Sequence, residues 1–203
     1  MSPRLATAPS PVDRLEPARE VYRSSLFRFA RDIIGFPDLI ERLHEPICAF
    51  LSAETVGALK ARPDITRHIV GWAERWADQP DTAPIRKRLV LLPRDHFKSS
   101  IISIAYPLWR QVRNQNVSML QSSSKIDNSA HFCARHRRLW EKRLPLIDLF
   151  GSLRPVDTNK VKWTDAEYVI TRTKDSVEAT VTSTGVGGGI ASRHYDLHLF
   201  DDL

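Results

Sequence analysis

One stretch, residues 88–103, constrains the fold of this chain more than any other. An apolar run from Leu89 to Leu92 ends at Pro93, and Lys98-Ser99-Ser100 then leads into a new apolar periodicity. This order predicts a strand, a loop and a helix. At such a junction the backbone N–H groups of the helix N-terminus bind phosphate, a lysine adds a full charge, and a hydroxyl reaches Mg²⁺. The stretch therefore predicts a phosphate-binding loop.

The match to the general phosphate-loop pattern is incomplete. The pattern G-x-x-x-x-G-K-[ST] requires glycine at positions 92 and 97, where this chain has Leu92 and Phe97. Glycine is favoured there because the backbone approaches phosphate closely or takes a positive φ. On this pattern alone, an ordinary strand-to-helix turn with a solvated lysine is the alternative.

The second informative stretch is 196–203, a short apolar run that leads to two acids. This run predicts a strand that ends in Asp201 and Asp202. In a parallel sheet the carboxyl end of such a strand lies at the same edge as the phosphate loop. One acid is then placed to hold Mg²⁺, and the second to orient or deprotonate an attacking water. An edge strand with solvated acids is the alternative, but the pairing with Lys98-Ser99 favours the nucleotide site.

The patterns between these two features alternate between strand and helix, which predicts an α/β fold with a parallel sheet covered by helices. Pro107 is expected to kink its helix or end it early. The predicted elements are a helix from Ser99 to Gln111, a strand at 117–121, a helix at 125–143 capped by Ser122–Ser124, strand patterns across 161–183 with a hairpin at 173–176, and a glycine-rich loop from Gly185.

The chain divides into a disordered arm (1–14), a helical lead-in (15–80) and the α/β region (81–203). In the lead-in, His44 and Glu45 are assigned to a solvated helix surface. Helices are predicted from Leu15 to Ile34, from Asp38 to Leu51, and after Pro63, and the last of these carries Trp72 and Trp76 one turn apart, as core residues rather than base-stacking ones.

Net charge and side-chain chemistry suggest a partner but do not select one. A net charge of +6 is compatible with an acidic or phosphate-bearing partner. The basic residues of the helix at 125–143 form a solvated face, form a nucleic-acid track, or include an arginine donated to a neighbouring subunit. They are Arg135, Arg137, Arg138, Lys142 and Arg143.

Cys48 and Cys133 fit no metal or disulfide pattern and are expected to be reduced and partly buried. No apolar run approaches the roughly 18 residues of a membrane span, so we expect a cytoplasmic protein.

Two of these stretches together resemble the large terminase subunit of tailed bacteriophages, the ATPase that packages DNA into the empty capsid. They are Pro93-Arg-Asp-His-Phe-Lys-Ser-Ser100 and Gly187-Gly-Gly-Ile-Ala-Ser-Arg-His-Tyr-Asp-Leu-His-Leu-Phe-Asp-Asp202. In that family the phosphate loop often lacks its second glycine, and the Walker B strand often ends in two acids. The resemblance implies a RecA/ASCE-like P-loop NTPase fold.

The resemblance also implies roles for individual residues. Lys98 contacts the β- and γ-phosphates of ATP, Ser99 and Asp201 hold Mg²⁺, and Arg94 acts on the γ-phosphate. Asp202 occupies the position of the catalytic base, where many such ATPases have glutamate. The loop residues that contact the nucleotide are Arg94, Asp95, His96, Phe97, Lys98, Ser99 and Ser100.

By the same resemblance, the partners are double-stranded DNA, the portal protein and the small terminase subunit. The full-length protein forms a homo-oligomeric ring in the host bacterial cytoplasm, with no membrane association. Large terminases continue past Walker B into further strands and a nuclease domain, and the strand between the phosphate-loop strand and Walker B comes from that later part. We therefore expect an incomplete sheet, from a truncated gene, a split gene or a fragment. A non-catalytic remnant and a helicase-like DNA ATPase are the competing interpretations.

Overall fold

The computed structural model describes residues 11–188 and 193–201, and these form a mixed α/β fold with helices flanking a four-stranded sheet. The helices are α1 (Pro11–Ser24), α2 (Leu26–Arg28), α3 (Glu41–Ser52), α4 (Val56–Lys60), α5 (Pro63–Thr66), α6 (Trp72–Arg75), α7 (Tyr106–Arg113), α8 (Ile126–Lys142) and α9 (Leu144–Phe150), with π-helical segments at Phe29–Ile34 and Ser100–Ala105. The strands are β1 (Met119–Ser123), β2 (Glu167–Tyr168), β3 (Val181–Gly185) and β4 (Leu197–Asp201).

The sheet is mostly parallel, as the alternating strand and helix patterns predict. Its order is β2-β3-β1-β4, in which β1 runs parallel to both β3 and β4 while β2 pairs antiparallel with β3. α8 follows β1 and packs against β1 and β3. Ser122 and Ser123 belong to β1 rather than to a helix cap, and Lys125 precedes α8 instead. The carboxyl ends of β1 and β4 are in register, because Ser123 pairs with Asp201.

The predicted first strand, Leu89–Leu92, is not a strand, and that prediction is wrong. Residues 86–92 form no β-ladder within the described part of the chain. Leu89 is 78% exposed and Leu91 is 82% exposed. An apolar alternation becomes a strand only when a neighbouring strand supplies hydrogen-bond partners. Within the described residues, β4 pairs with β1 alone and no strand pairs with this segment.

This exposure predicts that polar substitutions in the segment are tolerated. Leu89→Ser and Leu91→Ser should each change the free energy of unfolding by less than about 0.5 kcal/mol, as is usual for surface positions. Leu120→Ala, in fully buried β1, should cost about 2–5 kcal/mol. Urea denaturation followed by circular dichroism measures all three. A loss of more than 2 kcal/mol at Leu91 would show that the segment is paired in solution.

The helical lead-in is more broken than its periodicity predicts. α1 begins at Pro11, inside the predicted arm, while residues 1–10 lie outside the described range. The predicted helix from Leu15 to Ile34 divides at Ser25, whose side chain accepts a hydrogen bond from the N–H of Arg28 and caps α2. Gly35 then ends the π-helical segment with a φ of 93°, which is the expected stop.

The two lead-in tryptophans belong to a small hydrophobic cluster separate from the main core. The predicted helix after Pro63 is two short helices, α5 and α6, joined by turns. Trp72 and Trp76 pack, partly buried, against buried residues from α4, α5 and Ile85. This packing agrees with their assignment as core residues.

Cys48 and Cys133 are buried free thiols, and burial raises the pKa of each to about 12. Both therefore stay protonated at neutral pH and pack as small apolar groups. Among the described residues, no helix is both long and apolar enough to cross a membrane.

Candidate functional site

The loop at 93–97 has the backbone of a glycine-containing turn although it contains no glycine. Asp95 has a φ of 63° and Phe97 a φ of 55°, and both values lie in the left-handed region that favours glycine. Position 97 is that of the second glycine in the general phosphate-loop pattern. Phe97 packs partly buried against the main core, with its ring edge-to-face on His44 at 5.4 Å. Core packing therefore holds a conformation that glycine would adopt without strain.

The positive φ of Asp95 makes a testable prediction, since its side chain is exposed and has little packing to lose. Asp95→Gly should raise the free energy of unfolding by up to about 1 kcal/mol, because an L-residue pays for left-handed backbone. Asp148→Gly, at an exposed position in α9, should instead lower it by a few tenths of a kcal/mol. Chemical denaturation of both variants measures the difference. A destabilised Asp95→Gly would contradict the strained-loop interpretation.

The helix after the loop begins at once. Residues 98–99 are helical, and the carbonyl of Phe97 accepts a hydrogen bond from the N–H of Ile101 at 2.9 Å. The helix continues through the π-helical segment into α7, so Pro107 does not end it. The first N–H groups of a helix have no partner within that helix. They point toward the loop, in the arrangement that binds anions.

Lys98 and Asp201, distant in sequence, meet at the carboxyl edge of the sheet. The Lys98 Nζ lies 3.5 Å from the Asp201 Oδ1, and the Asp201 Oδ2 accepts a 2.7 Å hydrogen bond from the hydroxyl of Ser103. Asp201 is only 6% exposed, which limits screening of this pair by water. The structure therefore brings together the loop lysine and the strand acid that the sequence singles out.

A cavity of about 250 Å³ opens beside this pair. It is lined by Ser99, Ser123, Asn128, His131, Phe132 and Asp201. Ser99 comes from the start of the loop helix, Asp201 from the end of β4, and the others from the end of β1 and the first turns of α8. Five of the six lining residues have polar side chains and the cavity adjoins a helix N-terminus, so it suits an anionic or metal-bound ligand. A cavity of about 280 Å³ in the lead-in, beside Glu45 and Arg62, contains none of the predicted site residues.

Of the remaining predicted site residues, some are half-buried in the loop and others are exposed or lie outside the described range. His96 and Ser100 are half-buried, and the ring Nδ1 of His96 lies 2.7 Å from the carbonyl of Arg94. Arg94 is exposed and is not among the residues that line the cavity. Asp202 lies outside the described residues.

The oxygen donors at the cavity fit a magnesium ion. The Ser99 hydroxyl and the Asp201 carboxylate are hard oxygen ligands of the kind that Mg²⁺ prefers, and both groups line the cavity. Among the described residues, no group of three or more His, Cys, Asp or Glu side chains is placed to hold a metal. A nucleotide-bound Mg²⁺ needs no such group, because phosphate and water complete its coordination.

His44 is a residue whose location the sequence prediction got wrong. It lies on α3, is 2% exposed, and contacts Phe97 of the loop. Its Nδ1 accepts a hydrogen bond from the N–H of Ile40, and burial lowers the pKa of the imidazole. Positions 44, 48 and 51 share one face of a helix, so the buried neighbours Cys48 and Leu51 were the signal that could have located it.

The neighbouring Glu45 was also assigned to a free helix surface, but it forms an ion pair with Arg62 at 2.6 Å. Arg62 also pairs with Asp64 at 2.8 Å. These contacts hold α3 against α5 and serve the lead-in rather than the candidate site.

The basic residues of α8, together with Arg143 directly after it, separate into structural and exposed ones. Arg137 pairs with Asp165 at 2.8 Å, and Arg143 donates to the carbonyl of Ile33 at 2.7 Å. These two arginines hold the lead-in and the 160s segment against the helix. The three that are exposed to solvent are Arg135, Arg138 and Lys142.

Comparisons with protein-family models, with curated proteins and with solved structures found no match to this chain. Any assignment of function therefore depends on the geometry of these residues and on the two stretches that resemble terminases.

Proposed function

We propose that this chain is the ATP-binding motor portion of a terminase-like DNA-packaging protein. The observation that carries the proposal is the meeting of Lys98 and Asp201 at 3.5 Å beside the 250 Å³ cavity, at the carboxyl ends of the parallel strands. Ligands of open α/β sheets bind at this edge. The glycine-like φ values of Asp95 and Phe97 support the proposal, because they give the loop the backbone shape that phosphate loops need.

Each residue has a defined part in nucleotide binding under this proposal. Lys98, now beside Asp201, directs its ammonium to the phosphates and offsets their charge. Ser99 and Asp201 would supply the hydroxyl and carboxylate oxygens that hold Mg²⁺, and the ion would offset the negative charge of the phosphates. The N–H groups at the start of the helix at residue 98 donate to the same phosphates.

The roles of Arg94 and Asp202 come from the resemblance. Arg94, exposed in the loop, must turn toward the γ-phosphate to offset transition-state charge. Asp202, next to Asp201, is proposed as the base that orients the attacking water. Double-stranded DNA, the portal protein and the small subunit are the proposed partners, and exposed Arg135 and Arg138 on α8 are compatible with a phosphate backbone.

Calorimetric titration of the chain with a non-hydrolysable ATP analogue and Mg²⁺ tests the nucleotide site. We expect micromolar affinity that weakens when EDTA removes the metal. DNA-stimulated release of phosphate from ATP then tests the motor assignment separately. No heat of binding from a cooperatively folded chain at millimolar analogue would overturn the proposal.

One observation favours a second candidate, a chain that binds nucleotide without turning it over. Within the described residues, the segment before the loop joins no strand of the sheet, and only Arg88, which donates to the carbonyl of Phe50, and the partly buried Val90 tie it to the rest of the protein. A loop that follows no sheet strand is less closely fixed for in-line transfer, which requires close positioning. Analogue binding with no measurable phosphate release, with or without DNA, would select this candidate.

A further inference from the structure

Ser103 is a buried residue that contacts Asp201 of the candidate site without lining the cavity. It is 0% exposed, and its hydroxyl donates the 2.7 Å hydrogen bond to the Asp201 Oδ2. Ser99 lies four residues earlier, one helical turn closer to the cavity. The two serines therefore differ in role, since Ser99 lines the cavity and Ser103 contacts the acid behind it.

The helix around Ser103 departs from α-helical geometry. Ser100–Ala105 is π-helical, and the N–H of Tyr106 bonds to the carbonyl of Ile101, five residues back. In an α-helix the carbonyl of Ser103 would accept from residue 107, but Pro107 has no N–H to donate. Pro107 therefore removes the α-helical donor to the Ser103 carbonyl, and π-helical turns recur at functional sites.

Two buried side chains occupy that carbonyl. The Nε2 of His136 on α8 donates to it at 2.8 Å, and the Nε2 of Gln121 on β1 donates to it at 3.0 Å. Both residues are 1% exposed or less. Burial lowers the pKa of His136 to about 4, so the ring is neutral at pH 7 and the pair of bonds stays intact. Helix, strand and α8 thus fix the backbone of Ser103.

A fixed Ser103 holds one oxygen of Asp201 and leaves the other toward Lys98. The Oδ2 is occupied by the serine hydroxyl, while the Oδ1 faces the lysine ammonium at 3.5 Å. A carboxylate held by one oxygen cannot rotate freely, so its second oxygen has a defined direction. Partners that orient a metal-binding carboxylate in this way raise metal affinity.

We propose that Ser103 is a positioning residue that orients Asp201 for Mg²⁺, with its backbone fixed by His136 and Gln121. The inference rests on the proposed nucleotide function and deepens it. Ser103 touches neither nucleotide nor metal, and acts only through the direction it gives to the Asp201 Oδ1.

The test compares Ser103→Ala with the change of a second serine that bonds to an aspartate away from the site. The hydroxyl of Ser118 donates to the Asp196 Oδ2 at 3.0 Å, just before β1 and β4 begin, at the opposite end from the site. Ser118→Ala therefore removes the same kind of serine–aspartate bond away from the cavity. Ser103→Thr keeps the hydroxyl and tests rescue. Circular dichroism first establishes that each variant is folded.

The readout is Mg²⁺ titration of the binding of a fluorescent, non-hydrolysable ATP analogue. Ser103→Ala should raise the half-saturating Mg²⁺ concentration about tenfold and leave affinity measured in EDTA within about twofold of wild type. Ser118→Ala should leave the Mg²⁺ dependence unchanged, and Ser103→Thr should restore it toward wild type. Equal Mg²⁺ dependence in Ser103→Ala and wild type, or an equal loss of affinity with and without metal, would overturn the inference.

A crystal structure of the nucleotide-free Ser103→Ala variant tests the positioning by itself. We expect the Asp201 carboxylate to rotate or to occupy more than one conformer. An unchanged carboxylate overturns the inference whether or not nucleotide binds. A wild-type chain that binds no nucleotide overturns the proposed function instead, so the two failures are distinguishable.

Discussion

Lys98→Ala should lower the affinity for a non-hydrolysable ATP analogue with Mg²⁺ by about 100-fold or more. Charge-assisted hydrogen bonds contribute roughly 1.5–3 kcal/mol each, and Lys98 makes such bonds to the phosphates under the proposed function. The Lys98 Nζ lies 3.5 Å from the Asp201 Oδ1, within reach of the cavity that Asp201 lines. Isothermal titration calorimetry of both proteins at the same Mg²⁺ concentration measures the loss.

The matched control is Lys87→Ala, which removes the same charge from an exposed position ahead of the loop. It should bind the analogue within about twofold of wild type, because solvated charges at such positions contribute little. Circular dichroism must show that Lys98→Ala is folded, since the change removes the cation beside a buried carboxylate. A folded Lys98→Ala protein that keeps its affinity would remove the phosphate-loop assignment, and equal losses in both variants would point to general electrostatic attraction.

The position of Asp201 was predictable from the sequence because parallel strands present their carboxyl ends at one edge of the sheet. Lys98 reaches this edge through the helix that follows the loop, whose segment Ser100–Ala105 contacts β4, and not through a strand before the loop. β4 proved to be parallel to β1, as the alternating pattern requires. Side chains at the ends of such elements converge whatever the details of the intervening loops.

The wrong prediction of a strand at Leu89–Leu92 shows that an apolar pattern alone does not predict strand pairing. Its apolar residues are typical of a buried strand, but a strand also needs a neighbour with free backbone groups. Within the described residues no strand pairs with this segment, and Leu91 is left 82% exposed. Periodicity describes only the segment that carries it, whereas pairing depends on a second segment.

Ser103 and His44 were missed for a different reason. Each is a polar residue in a helical pattern, where sequence reasoning assigns polar side chains to solvent. Ser103 can be buried because its hydroxyl donates to Asp201, far along the chain. His44 is covered in part by the ring of Phe97. Contacts between residues so distant in sequence are set by tertiary packing and leave no local signal beyond the helical face on which each residue lies.

Trp140→Ala should lower the free energy of unfolding by about 3–5 kcal/mol, the usual cost of deleting a fully buried tryptophan. That is a large share of the roughly 5–15 kcal/mol that stabilises a typical domain. Trp140 is 0% exposed, and its Nε1 donates to the Gln111 Oε1 at 2.8 Å. Gln111 in turn donates to the hydroxyl of Tyr168 at 2.8 Å. The substitution therefore opens a cavity and also leaves the buried Gln111 oxygen without a donor. Trp140→Phe keeps most of the volume and isolates the loss of the hydrogen bond to Gln111, about 1–3 kcal/mol.

Trp72→Ala, in the partly buried lead-in cluster, should cost about 1–2 kcal/mol, because less of its surface leaves water on folding. Urea denaturation followed by far-ultraviolet circular dichroism compares the three variants, and a larger loss at Trp72 than at Trp140 would place the main core in the lead-in rather than beside the sheet.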